Sequence, residues 1–222
     1  MKAPPQHDNS VSLSLKMIWS VSLLLLLISL ILCSVYAEMT TTCDSSFMAP
    51  SGPLNAEAKI GTSIPSGSVD LVVPGPDGFI FAENEDFGTV LASHQKVVVF
   101  ALPGAFTPTC SAKHLPGFIE KAEEIRSRGV EAIYCLSVND KYVMKAWAEA
   151  TTGTYDSGVI LVADGNAAFT KALGSENDRT SGRMGLRSQR YAFIAENGKI
   201  THFFHDSTGL VNSSAENILK HL

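Results

Sequence analysis

Cysteine is scarce in this chain, and none of its four copies is spaced for a structural task. Cys33, Cys43, Cys110 and Cys135 form no CxxC pair and show no zinc-ligand spacing, which argues against a redox dithiol of that type and against a cysteine-built metal site. Basic character is lacking too. Lys and Arg number 17 against 22 Asp and Glu, a formal net charge of −5, so a nucleic-acid partner would meet no basic stripe. No internal repeat is visible, and 222 residues leave room for one domain with a sizeable core.

Charge is absent altogether from Met17 to Tyr36, which is almost uninterruptedly apolar around Leu23–Leu27. A core helix would need a polar face, and this run has none. Val35-Tyr36-Ala37 offers small residues at the two positions a signal peptidase reads, so residues 1–37 read as a signal peptide cleaved after Ala37. The run is also long enough to cross a hydrocarbon layer of about 30 Å, so a retained, membrane-inserted signal-anchor stays open. Both readings route the chain into the secretory pathway or an organelle reached through it. Asn212-Ser213-Ser214 is a glycosylation sequon that would matter only on that route.

From Glu38 to Pro65 the sequence is rich in Ser, Thr, Pro and Gly. Residues 38–57 are taken as a linker or processed presequence carrying a non-catalytic Cys43, and 58–222 as the folded domain. Within it, Val69–Val73, Phe79–Phe81, Lys96–Leu102, Ala132–Val138, Val159–Val162, Tyr191–Ala195 and Lys199–Phe204 read as strands. Asp86, Asp140 and Ser213 or Ser214 are placed to cap helices. A longer helix is expected over Ser111–Arg128, bent by Pro116-Gly117 and stopped by Gly129. Glu176–Gln189 reads as a polar, Gly-rich loop, and Asn197-Gly198 as a tight hairpin turn. The order of elements is that of an α/β layer fold.

The chemistry concentrates in Lys96–Gly117. A buried strand, Val97–Phe100, breaks at Pro103-Gly104 and delivers Cys110 to the first turn of a helix. Unpartnered N–H groups and the helix dipole there favour a thiolate over a thiol. A lone cysteine is more commonly a small buried apolar residue, but Thr107 and Pro103 at this spacing set a hydroxyl and a rigid ring beside the sulfur. The dipole contributes on the order of 1 kcal/mol, less than one pKa unit, so a cation is needed as well.

The spacing Pro103-x-x-x-Thr107-x-x-Cys110 resembles the active-site motif of the peroxiredoxins. The strings PGAFTPTCSAKHLPGF (Pro103–Phe118) and CLSVND (Cys135–Asp140) resemble their type II, or type 5, branch, and the resemblance runs from about Ala58 to the C-terminus. It implies a thioredoxin-like α/β fold, a central mixed sheet flanked by helices, and a thiol peroxidase acting on hydrogen peroxide and alkyl hydroperoxides. Cys110 would be the peroxidatic nucleophile, Thr107 would align the peroxide, and Pro103 would exclude water.

The segment Gly185–Ala192 resembles the family stretch carrying the catalytic arginine; Arg190 is chosen because it abuts a strand, with Arg187 in reserve. Cys135 matches the context of a second cysteine in plant-like members and could resolve the sulfenic acid, although it sits in a predicted buried strand. The resolving cysteine that other members carry after Thr-Gly-Leu is absent here, since Thr208-Gly209-Leu210 runs on into Val211-Asn212. Glutaredoxin with glutathione, or thioredoxin, would then be the electron donor, with no bound cofactor and no metal. A homodimer is implied by the family habit. His114, four residues after Cys110, reads as structural rather than as half of a Cys-His hydrolase pair. A peroxide sensor or relay, oxidised at Cys110 and passing its oxidation to a partner protein, is the alternative reading. A binding module with a merely buried Cys110 is the third.

Overall fold

A computed structural model describes residues 55–152 and 157–222. The leader, most of the linker, Cys33 and Cys43 lie outside the described residues. Among the described residues no helix is long and apolar enough to cross a membrane.

The chain runs through β1 (Ser68–Gly75), β2 (Gly78–Asp86), α1 (Phe87–Ala92) and β3 (Lys96–Ala101), then a π-helical turn (Cys110–His114) that leads into α2 (Leu115–Ser127). It continues through β4 (Ala132–Ser137), α3 (Lys141–Thr152), β5 (Ile160–Ala163), α4 (Ala168–Ala172), β6 (Glu176–Asp178) and β7 (Leu186–Ser188). It ends with β8 (Arg190–Glu196), β9 (Lys199–Asp206) and α5 (Ala215–Leu219). Seven strands form one mixed sheet in the order β2-β1-β5-β4-β3-β8-β9. Pairs β3/β4 and β4/β5 are parallel, and the remaining pairs are antiparallel. This is the thioredoxin-like arrangement of a central mixed sheet with helices packed on it.

Strand alternation divides the core in two. On β3, Val98 and Phe100 face a cluster holding Phe118 and Ile125 of α2, Cys135 and Trp147. Val97, Val99 and Ala101 face the opposite cluster of Phe87, Tyr134, Phe169, Tyr191 and Phe193. A strand buried on both faces reads as an uninterrupted apolar run, which is what Val97–Phe100 shows in the sequence.

Local signals fix the ends. Asp86 caps α1 by accepting from Thr89 N, Asp140 caps α3 by accepting from Tyr142 N and Val143 N, and Ser214 caps α5. Asn197 and Gly198 take positive φ values of 49° and 75° in the β8–β9 turn.

Two expectations need correction. Glu176–Gln189 is not a structureless loop: β6 and β7 pair antiparallel, Glu176 opposite Ser188 and Asp178 opposite Leu186. Three-residue strands of mostly polar residues leave no alternation to read. The irregularity in the long helix also lies earlier than Pro116-Gly117. The helix begins by Pro108 and widens into the π turn, where Leu115 N donates to Cys110 O. Pro116 then falls at the start of α2, where its missing N–H and fixed φ are tolerated.

Candidate active site

Topology gathers the site before any side chain is considered. Parallel β3 and β4 end at the same edge of the sheet, releasing Pro103 from one and Asn139 from the other. Antiparallel β8 begins at that edge, with Tyr191 opposite Ala101, so Arg190 starts beside the end of β3. The last residue of β9, Asp206, pairs with Arg190. The carboxyl ends of parallel strands are where ligands bind in open α/β sheets.

Gly104–Thr107 is a tight turn. Thr107 N and Thr107 Oγ1 both donate to Gly104 O, at 3.4 and 2.8 Å. Phe106 takes φ 58° within it, a left-handed conformation uncommon for a bulky residue, and is 56% exposed. The strain is held from outside by Asn139, whose Oδ1 accepts from Ala105 N at 3.0 Å and from Ser137 Oγ at 2.8 Å. The next helical turn opens with Ser111 N donating to Thr107 O at 2.9 Å, which sets Cys110 one turn beyond Thr107. Trp147 Nε1 donates to Ser111 Oγ, tying this turn to α3.

Cys110 is a free cysteine only 1% exposed. Arg190 Nη2 donates to its Sγ at 3.4 Å, and Arg190 Nη1 lies 2.9 Å from His114 Nδ1. His114 Nε2 in turn lies 3.0 Å from Ser213 O. A carbonyl can only accept and a guanidinium can only donate, so the imidazole is neutral with its proton on Nε2. Burial, with the Arg190 charge adding to it, pushes the His114 pKa down to about 3.

The acid stability follows from that value. Unfolded, the ring titrates near 6.5; folded, it stays neutral down to about 3. Above pH 6.5 neither state carries the proton and the ring contributes no slope. As pH falls from about 6.5 towards 3 the unfolded chain binds a proton that the folded chain refuses, so stability drops by up to about 1.4 kcal/mol per pH unit. His205, also lowered by burial, adds to this slope, and Asp164, raised by burial, opposes it at the acid end. Denaturant melts of wild type and His114→Asn between pH 7 and 4 should show a shallower acid slope in the variant, by up to one proton. Parallel slopes would contradict the assignment.

Arg187 is placed elsewhere. Its Nε donates to Met184 O and its Nη1 to Val138 O, so it ties the loop before β7 to the end of β4 rather than reaching the sulfur. Cys135 lies in β4 between Phe100 of β3 and Leu161 of β5 with no exposure. Burial, then the neighbouring Cys110, pushes its thiol well above the ordinary range. Pro103 is half-buried and lines an open groove of about 490 Å³ with Thr109, Arg179, Gln189, Arg190, Asp206 and Gly209. Among the described residues no cluster of His, Cys, Asp and Glu is arranged to hold a metal ion.

The structure therefore brings Pro103, Thr107, Cys110 and Arg190 to one end of the sheet. Reading the sequence alone leaves out Asn139, although it stands in the quoted CLSVND string, and undervalues His114. Asp206 and Ser213 carry no local signal beyond an acid followed by a Ser- and Asn-containing loop.

The Redoxin family profile matches residues 60–219. Peroxiredoxin-2B of Arabidopsis thaliana is 48% identical over 154 residues, covering 66% of this chain and 94% of its own length. The chloroplastic peroxiredoxin-2E-2 of Oryza sativa subsp. japonica is 52% identical over 135 residues, 60% of each chain, so the match spans less than two thirds of that relative. Among solved structures, reduced Prx3 of Vibrio vulnificus in complex with hydrogen peroxide aligns with a TM-score of 0.64 and 42% identity, over 73% of this chain and 97% of that one. The sheet, the site at its edge and these relatives agree: this chain belongs to the peroxiredoxins, thiol peroxidases of the Redoxin family, in their type II branch.

Proposed function

We propose that the Cys110 thiolate attacks one oxygen of a small hydroperoxide, breaking the O–O bond. The sulfur becomes a sulfenic acid, and the departing oxygen leaves as an alkoxide or hydroxide and takes up a proton. The observation that carries this reading is the Arg190 guanidinium on the Cys110 sulfur at 3.4 Å. A fixed cation there favours the thiolate and stabilises charge as it moves onto the peroxide oxygens. Thr107 Oγ1 donates its hydrogen bond to Gly104 O, so its lone pairs are left to accept from the peroxide and orient it. Pro103 shields one side of the site from water. A sulfur so little exposed suits hydrogen peroxide and short alkyl hydroperoxides.

For regeneration, glutathione condenses with the sulfenic acid, releasing water and leaving a mixed disulfide that glutaredoxin reduces. The burial of Cys135 and its raised pKa favour this external thiol over an internal disulfide. Steady-state peroxide consumption with glutathione plus glutaredoxin, compared with thioredoxin, tests the assignment. Sustained turnover with glutaredoxin is expected. Turnover with thioredoxin alone would overturn it, and consumption that stops at one equivalent with either donor would favour a relay.

We further infer that residues 1–37 carry the chain into the secretory pathway and that the folded domain acts as a homodimer. Two relatives bear chloroplastic names, so an import route of that kind is the competing one. Expressed in full, the chain is expected to carry an endoglycosidase-sensitive glycan at Asn212; a complete absence of glycan would count against entry through that pathway.

A further inference from the structure

We propose that His114 and Asp206 are positioning residues that hold Arg190 on the Cys110 sulfur through a hydrogen-bonded chain, Asp206–Ser213–His114–Arg190. The inference rests on the proposed role of Arg190 and extends it to residues that never touch the peroxide.

An arginine has many rotamers, and a single bond to sulfur at 3.4 Å would not fix it. Its second terminal nitrogen is fixed by His114 Nδ1 at 2.9 Å. The imidazole is itself locked: it packs against the stacked pair Phe100 and Phe118, with ring centroids 5.0 and 5.7 Å away, and its opposite nitrogen donates to Ser213 O. That carbonyl is fixed by Asp206. One carboxylate accepts from Val211 N, Asn212 N, Ser213 N and Ser213 Oγ at 2.7–3.2 Å, clamping the loop that carries Ser213. Against the upward push of burial, these donors hold the Asp206 carboxyl below its ordinary range.

The clamp has a second consequence. Asp206 is the cross-strand partner of Arg190, the place from which a carboxylate would ordinarily capture an arginine. No Arg190–Asp206 ion pair forms. The loop occupies the carboxylate oxygens, and a neutral acceptor, His114, takes the guanidinium instead. Arg190 therefore meets the sulfur with no carboxylate in contact with its guanidinium, which would have offset more of its charge. A histidine suits this position because it is neutral and offers a donor and an acceptor on opposite edges of a rigid ring.

Single-turnover oxidation of Cys110 by hydrogen peroxide, measured in the full chain, tests the proposal as a double-mutant cycle. His114→Ala is expected to slow oxidation about tenfold, the loss of one well-placed hydrogen bond to a charged group. His114→Asn, whose Oδ1 can still accept from Arg190 Nη1, should recover most of that loss. In an Arg190→Met background, His114→Ala should change the rate less than about twofold, because nothing remains to position. Asp206→Asn should slow the wild-type protein and have little further effect once His114 is alanine. A neutral Arg190→Met would defeat the role given to Arg190 and the chain with it. A slow Arg190→Met combined with a neutral His114→Ala would sink the chain alone, as would a His114→Ala effect of full size in the Arg190→Met background.

Discussion

Replacing Arg190 by methionine should slow the reaction of Cys110 with hydrogen peroxide by about a hundredfold to a thousandfold, the usual cost of deleting one preorganised donor from a site of developing charge. Methionine keeps most of the length and apolar stem, so the packing change is small. What is lost is the Nη2 donor at the sulfur and the positive charge beside it. Ionisation of the thiol accounts for only part of this. A thiol of ordinary pKa, about 8.5, gains about thirtyfold in thiolate on full ionisation at pH 7. The rest comes from holding charge and geometry during O–O cleavage. Arg187→Met is the matched control. Its guanidinium braces Met184 O and Val138 O, so its loss should lower stability while the oxidation rate stays within a few-fold. Equal rate losses in the two variants would contradict the assignment of Arg190.

The two buried cysteines should respond in opposite ways. Cys110→Ser is expected to cut peroxide consumption by at least about a thousandfold, since among the described residues Cys110 is the thiol that accepts from Arg190. Cys135→Ala should leave turnover with glutathione and glutaredoxin within about twofold. Alanine is the better probe at this position, because a serine hydroxyl between β3 and β5 would be buried without a partner and cost about 1–3 kcal/mol. Both thiols are buried in one core cluster, and a disulfide between them needs Cα atoms within about 7 Å and matched side-chain directions. Loss of turnover in Cys135→Ala, with a Cys110–Cys135 disulfide trapped in the wild type, would make Cys135 the resolving thiol.

What the sequence discloses and what it hides divide along the range of the interactions. Val97–Phe100, Asp86, Asp140 and Asn197-Gly198 are legible because a strand's apolar run, a cap and a tight turn are settled within a few residues. Pro103, Thr107 and Cys110 are legible for the same reason, one loop carrying all of them. Arg190 is preferred over Arg187 from its place at the start of a strand, and the pairing of Tyr191 with Ala101 is what brings its guanidinium to the sulfur. The Asp206 clamp is less legible still, since it closes a loop whose Ser213 carbonyl meets a ring 99 residues earlier in the chain. The β6–β7 ribbon hides behind a polar composition. The π turn hides because its signal, Pro116, marks the helix that follows rather than the distortion before it.

The proposed reaction delivers a peroxide oxygen to Cys110. Full-length protein treated with one equivalent of hydrogen peroxide in the presence of a sulfenic-acid trap such as dimedone, then digested and mapped by mass spectrometry, tests it most directly. The adduct is expected on the peptide containing Cys110, formed rapidly in wild type, slowly in Arg190→Met, and not at all on Cys135. An adduct on Cys135, or none on Cys110 while peroxide is still consumed, would contradict this assignment.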